Sequence, residues 1–383
     1  MLKSWQYFLV LFFILPLYFL FPKITFADWP GPRYDFNKTG FVPYQISEKP
    51  QEKWVSGNIS FVWNAPVTDP DGNIYLGTNT GGLTSLDKDG KKRWVTNTHY
   101  PGNSVVLDNN NNIYYSVTTG LPKIYSYDQN GNKRWEYSLG NNSPTGVALS
   151  RDKNTIYVGI AYPSQTLVAL NLDGTLKWQK NLNYNSPAST PLVAPDGTIY
   201  VGTGTNYGLF ALTDTGTTGI IKWYRYFVGS SDVHSLMLDS SNNIYVKSGG
   251  KIVSYDSLGT RRWVYQYSNL IDSLNREEEM ALKDNIIYAI SNNNLMAINT
   301  SGNLIWTFTA PVQISQRFKS PVIDKNGNIY TTYGNIFYIL NPDGTLKWEV
   351  PLGSYPSYLG KPIIVVNNLF YIYQNVSGNW NGY

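Results

Sequence analysis

The stretch Leu167–Gly204 reads LVALNLDGTLKW, then a polar connector, then STPLVAPDGTIYVGTG. Its first part is an alternating strand, an Asp-Gly turn and a second strand that ends at Trp178. Its last part is another strand, a Pro-Asp-Gly turn and a strand carrying Ile199-Tyr200. Strands that alternate apolar and polar residues, joined by such turn residues, read as antiparallel hairpins.

The same pattern recurs along nearly the whole chain. Seven complete units run from a Tyr to a Trp: Tyr75–Trp94, Tyr114–Trp135, Tyr157–Trp178, Tyr200–Trp223, Tyr245–Trp263, Tyr288–Trp306 and Tyr330–Trp348. The Trp positions lie about 42 residues apart, the spacing of a four-stranded propeller blade. Before the first unit, residues 41–54 end in a lone Trp54, and after the last, residues 362–373 end in a Tyr strand pair without its Trp. A ring must join its ends or leave open sheet edges, which invite aggregation. The expectation is therefore an all-β, eight-bladed β-propeller of four-stranded antiparallel blades. Strands from the N-terminus would complete the C-terminal blade, so that Trp54 joins the sheet of Tyr371.

Two further columns support this alignment. Six of the seven units carry Gly-x-x-x-Trp, as in Gly131/Trp135 and Gly344/Trp348, while Gly216 and Trp223 are separated by a three-residue insertion. Five residues before each of these glycines stands a small residue, with Ile339 the exception. A small residue leaves room for a large neighbour, and the recurring Trp is the candidate to fill it. Trp54, Trp94, Trp135, Trp178, Trp223, Trp263, Trp306 and Trp348 are thus read as structural docking residues between blades, because a ligand cage would not recur in every repeat. The basic residues before many of them, such as Lys91-Lys92-Arg93 and Arg261-Arg262, are read as charges that block edge-to-edge strand pairing.

Residues 1–27 have a basic residue at Lys3, an apolar run from Trp5 to Phe21 and Ala27 before Asp28. This is the pattern of a secretory signal. The rival reading is an uncleaved membrane anchor, for which the run is slightly short and interrupted by Pro16. Either reading places the remainder outside the cytoplasm, secreted or associated with the cell envelope. Residues 28–40 (DWPGPRYDFNKTG) form an irregular lead-in segment, and residues 41–383 the propeller. The net charge of +4 falls to +2 once Lys3 and Lys23 leave with the leader, which is no footprint for nucleic acid. The chain has no Cys, which excludes disulfides, thiolate metal sites and a lipidated N-terminal Cys.

At this point the repeat resembles the pyrroloquinoline-quinone (PQQ)-like β-propeller family. Residues 189–202 are close to that family's pattern, and Trp29-Pro30, Arg33 and Thr39-Gly40 are similar to the segment that often precedes its first blade. The resemblance implies an eight-bladed ring and a docking role for the Gly and Trp columns. It also implies one of two kinds of function. Quinoprotein dehydrogenases hold PQQ and calcium in the channel, with a catalytic Asp and often a disulfide between adjacent cysteines. This chain has no Cys pair, no long insertions, and no matching positions for that Asp or the calcium ligands. The other kind is the propeller subunit of the outer-membrane barrel-assembly machinery, a binding scaffold. The chain matches it in size, although the lipidated Cys of that subunit is missing.

Residues that carry chemistry are few. Only His99 and His234 occur, and there is no H-E-x-x-H, G-x-S-x-G or P-loop. No catalytic residue and no metal ligand is therefore assigned. The Asp/Asn-rich turns, such as Asp69-Pro70-Asp71-Gly72-Asn73, lack the distal bidentate Glu of a calcium loop and read as hairpin turns. One irregularity stands out. Counting back eleven residues from each Tyr gives a ring of positions, expected near one mouth of the channel, that is charged only in one sector. His234, Arg276, Glu277, Glu278, Arg317 and Lys319 form that candidate contact sector. The expected function is a non-enzymatic scaffold, a monomeric ring with protein or envelope-glycan partners and no cofactor. The alternative is a PQQ-dependent oxidoreductase, or a relict cofactor binder, holding PQQ with calcium.

Overall fold

The computed structural model describes residues 35–43, 49–51, 54–56, 66–78, 82–98, 101–118, 120–161, 163–183, 186–204, 208–227, 232–233, 235–267, 280–291, 293–311, 318–352, 363–365, 369–373 and 380–382. Residues 54–56, 101–103 and the strands beyond residue 362 are described by their backbone alone. The leader falls outside these residues. Among the described residues no helix is long and apolar enough to cross a membrane.

Blade 3 shows the plan. Its strands Pro144–Leu149, Thr155–Ile160, Thr166–Asn171 and Leu176–Asn181 pair antiparallel in chain order. The first three are almost wholly buried, whereas the fourth, LKWQKN, exposes every other side chain or so. β-Branched and aromatic residues fill the buried strands, as a pleated two-sided packing surface requires. The first strand of blade 3 lies against the first strands of blades 2 and 4, so the first strands are innermost and the fourth outermost.

Seven such blades of consecutive strands make up the propeller, which corrects the eight-bladed expectation. The difference lies at the chain ends. Trp54–Ser56 does pair with Trp380–Gly382, which continues to Leu369–Tyr373 and Ile363–Val365 as one further four-stranded sheet. Among the described residues one short strand comes from the N-terminal side, and the C-terminal strand Trp380–Gly382 lies between it and Leu369–Tyr373. Meanwhile blades 7 and 1 share one buried cluster: Val322, Tyr330 and Phe337 belong to it together with Val42, Val67 and Tyr75.

Within each blade the repeat columns form a line across three strands. Tyr157 pairs with Ala169, and Ala169 with Trp178, and the other blades repeat this register. The small middle residue lets the two rings meet, with centroids 6.0 Å apart in blade 3 and 5.7 Å in blade 4. Blade 7 has Ile339 in the middle, and there Tyr330 instead packs against Phe337 at 6.2 Å. The strand pairing shifts just after the middle residue in every blade, a bulge that re-aims the outer strand.

The same Trp reaches into the following blade. Trp135 Nε1 donates to Leu172 O at 2.8 Å, Trp263 to Thr300 O at 2.8 Å and Trp306 to Pro342 O at 3.1 Å. The indole lies under the turn glycine of that blade. A Cβ built on Gly174, at φ +89°, would sit 2.6 Å from Trp135 Cδ2, so both the backbone and the close approach demand Gly. Blade 4 departs from the sequence alignment. Gly216 has open space beside it, and Gly219 is the residue that covers Trp178. The longer turn also brings in Asp214, which accepts from Trp178 Nε1 at 2.8 Å, Tyr157 OH at 2.8 Å and Lys177 Nζ at 2.9 Å.

Burial pushes the Asp214 carboxyl upward, but donors from Lys177, the Gly216 amide, Tyr157 and Trp178 together hold it below the usual carboxylate range. A depressed folded pKa contributes stability above the unfolded value of about 3.9, and that stability is lost as pH falls through the folded value. Asp214→Asn is therefore expected to be less stable than the parent at pH 7, with the gap narrowing below about pH 4. Urea denaturation across pH 3–7 checks this, and a gap independent of pH would contradict it.

Candidate functional site

The innermost strands begin at one mouth of the channel and end, at their Asp-rich turns, at the other. Of the charged sector that the sequence leads one to expect at the first mouth, one residue is described. His234, Arg276, Glu277, Glu278 and Arg317 lie outside the described residues. Lys319 is described and half-buried just before the inner strand of blade 7. Its backbone N–H donates to Thr332 O at 2.8 Å, and its carbonyl accepts from Thr331 Oγ1 at 2.5 Å. The backbone of Lys319 is thereby anchored on the second strand of its own blade.

At the turn end, the aspartates that invite a calcium reading are used by their own turns. The Asp69 carboxylate accepts from the amides of Asp71 and Asn73, from Asn73 Nδ2 and, at 2.7 Å, from Tyr75 OH. Asp108, Asp239 and Asp324 repeat the arrangement with Tyr114, Tyr245 and Tyr330. The basic residue before the Trp completes the network, a role that the sequence reading missed. Arg134 Nη1 donates to Tyr114 OH and Ser126 Oγ, both at 2.9 Å, and Arg93 and Arg262 do the same in blades 1 and 5. The signal was present as an Arg-Trp pair recurring wherever the small residue is Ser. Among the described residues, no group of three or more His, Cys, Asp or Glu could hold a metal ion.

The lead-in segment crosses this turn-side mouth. Leu238 and Ile323 end the inner strands of blades 5 and 7, Leu282 is the last residue but one in that of blade 6, and their amides donate to Asn37 O, Gly40 O and Thr39 O at 3.0, 2.9 and 2.8 Å respectively. Val42 N returns a bond to Ile323 O at 2.8 Å, and Phe41 bridges Ile323 in parallel. On the opposite side Lys38 Nζ reaches Thr190 O at 2.9 Å, and Arg151 holds Val193 O at 2.8 Å and the Asn37 side-chain oxygen. Residues 37–42 thus bond across this mouth to the inner strands of blades 5, 6 and 7 and, through Lys38, to Thr190 before that of blade 4.

On the rim between blades 4 and 5 lies a groove lined by Tyr226, Phe227, Lys251, Tyr255, Arg261 and Val264, among others. Its chemistry is aromatic and cationic, with no carboxylate in the lining.

The sequence model of the family described as outer membrane protein assembly factor BamB matches residues 45–248 and, in an overlapping second alignment, 122–299. No curated protein matches the sequence. Among solved structures, BamB from Moraxella catarrhalis aligns with a TM-score of 0.66 at 18% identity, over 86% of this chain and 99% of that one. A europium-containing methanol dehydrogenase aligns with a TM-score of 0.69 at 12% identity, over 90% of this chain and 89% of that one. The C-terminal WD40 domain of Sif2 aligns with a TM-score of 0.67 at 10% identity, over 87% and 97% respectively. At such identities these likenesses establish the fold and nothing finer. The two family alignments span most of the seven blades, and the chain belongs to the PQQ-like β-propeller family described as outer membrane protein assembly factor BamB.

Proposed function

We propose that this protein is a non-enzymatic scaffold of the cell envelope that binds a protein partner, in the manner the family description of an assembly factor suggests. The observation that carries this reading is the family match over residues 45–299. The channel geometry supports it. One mouth is crossed by the chain's own residues 37–42, and the contact face proposed is the sector that the repeat alignment picks out: His234, Arg276, Glu277, Glu278, Arg317 and Lys319. Loops at the end of a rigid scaffold are where binding residues concentrate. The ring acts as a monomer, and envelope glycan is a secondary partner class. No cofactor is needed for this role.

The test pairs two measurements on the mature chain, residues 28–383. Photo-crosslinking in the envelope from positions beside Lys319 is expected to trap a defined protein partner. The double variant Glu277→Ala/Lys319→Ala is expected to weaken that complex about tenfold or more, the effect of losing roughly 1.4 kcal/mol at a contact. Unchanged binding would remove the sector from the reading. The alternative, a PQQ-dependent oxidoreductase or relict cofactor binder, predicts a calcium-dependent quinone spectrum and a dose-dependent rise in melting temperature with PQQ plus calcium. Neither is expected here.

A further inference from the structure

Residues 35–43 are held by the ring as a bound peptide would be. The inner strand of each blade is a sheet edge, and its outward amides and carbonyls are a template for an extended chain. Three blades use that template on one segment. Their amides take Asn37 O, Thr39 O and Gly40 O, and Ile323 O accepts from Val42. Main-chain bonds of this kind supply affinity, and side-chain pockets supply selectivity.

The side chains are read in turn. The Arg151 guanidinium lies 4.9 Å from the centre of the Phe36 ring and bonds the Asn37 side-chain oxygen. Lys38 is buried, at 9% exposure, and its ammonium donates to Thr190 O. Burying an ammonium is costly unless polar groups receive it, so this pocket is built for a cation. Gly40 has φ +63°, which any other residue would adopt only with strain. Hydrogen bonds within the segment also fix its turn. The Asp35 carboxylate accepts from Thr39 N at 2.8 Å and from Thr39 Oγ1 at 2.5 Å, and Lys38 N donates to Asp35 O at 3.0 Å. That turn holds Lys38 at φ 56°, aimed across the channel.

We infer that the turn-side mouth of the ring is a peptide-binding site for a turn-containing segment of the pattern aromatic-Asn-Lys-x-Gly, and that the chain's own residues 36–42 occupy it. The site then takes a second peptide of the same chemistry when its own segment is displaced. This does not rest on the scaffold reading, because the contact sector proposed above is a different set of residues.

The experiment uses the full mature chain with a protease recognition sequence inserted between Pro43 and Lys49. After cleavage, native mass spectrometry is expected to find the N-terminal piece still bound. A labelled synthetic peptide, DFNKTGFVP (residues 35–43), is expected to exchange into the cleaved protein, read by fluorescence polarisation. The Lys38→Ala peptide is expected to bind at least tenfold more weakly, and a scrambled peptide not at all. Arg151→Gln in the ring is expected to weaken the parent peptide with the near-UV dichroism of the ring unchanged. Loss of the piece on cleavage with no peptide binding, or equal affinity for the Lys38→Ala peptide, would overturn the inference. Unfolding of the ring on cleavage would overturn it too, by making the segment an integral strut of the fold.

Discussion

Trp178→Ala is expected to lower the unfolding free energy by about 3–5 kcal/mol, the range for truncating a buried Trp. Trp178 is 4% exposed and lies where blades 3 and 4 meet. Its ring stacks at a tilt on Tyr157 of its own blade and lies beneath Gly219 of the next. Truncation empties that space, and the neighbouring strand Thr166–Asn171, paired on both sides, cannot collapse into it. It also removes one of the donors that hold the Asp214 carboxylate. Trp178→Phe separates the two contributions. It keeps most of the ring contact and loses the N–H, so about 1–2 kcal/mol is expected. Equilibrium denaturation with fluorescence and far-UV dichroism measures both variants. Because each blade touches only its neighbours, the Ala variant is also expected to lose coincidence between the two probes, as a stacked array does when one interface weakens. A loss below about 1 kcal/mol would mean that the indole does not lock the blades.

The second large effect is expected at high pH. Tyr75, Tyr114, Tyr157, Tyr200, Tyr245, Tyr288 and Tyr330 occupy equivalent positions, and burial pushes every one of their hydroxyls upward. In Tyr75, Tyr114, Tyr157, Tyr245 and Tyr330 a hydrogen-bonded aspartate adds to the shift, because it repels a phenolate. Tyr288, without such a bond, is pushed up to about 12. A folded pKa raised above the unfolded value of about 10 means that stability is fully present below pH 10 and is lost as pH rises toward the folded values. Each such Tyr steepens the loss by up to about 1.4 kcal/mol per pH unit. The melting temperature is expected to be flat from pH 7 to 9 and to fall steeply above about pH 10. Phenolate absorbance at 295 nm and loss of near-UV dichroism should rise together. Titration of the column in the folded state, ahead of unfolding, would contradict this.

Much of the fold is legible because it is local. The Asp-Gly and Asn-Gly turns need positive φ, and Gly72, Gly197 and Gly327 have it, as do Asn111 and Asn242 in the same place in blades 2 and 5. Tyr, small residue and Trp fall in one line because adjacent antiparallel strands, two residues per repeat, carry equivalent positions to the same face. The Arg-Tyr-Asp network was missed because its members read singly as edge charge, core ring and turn former. Their meeting depends on the strand register that brings Arg134 across to Tyr114.

The sequence by itself determined the unit: four short strands, the turns between them, and the Trp that reaches the next unit. Each follows from contacts within one or two repeats, where periodicity and turn chemistry carry the information. Only the tertiary structure decided how many units form the packed propeller, that Gly219 rather than Gly216 covers Trp178, and that the lead-in segment crosses one mouth. Lys38 meets Thr190, and Asn37 meets Arg151, across 152 and 114 residues of chain. Contacts at that separation exist only once the ring has brought distant inner strands to one axis, and no local pattern encodes them.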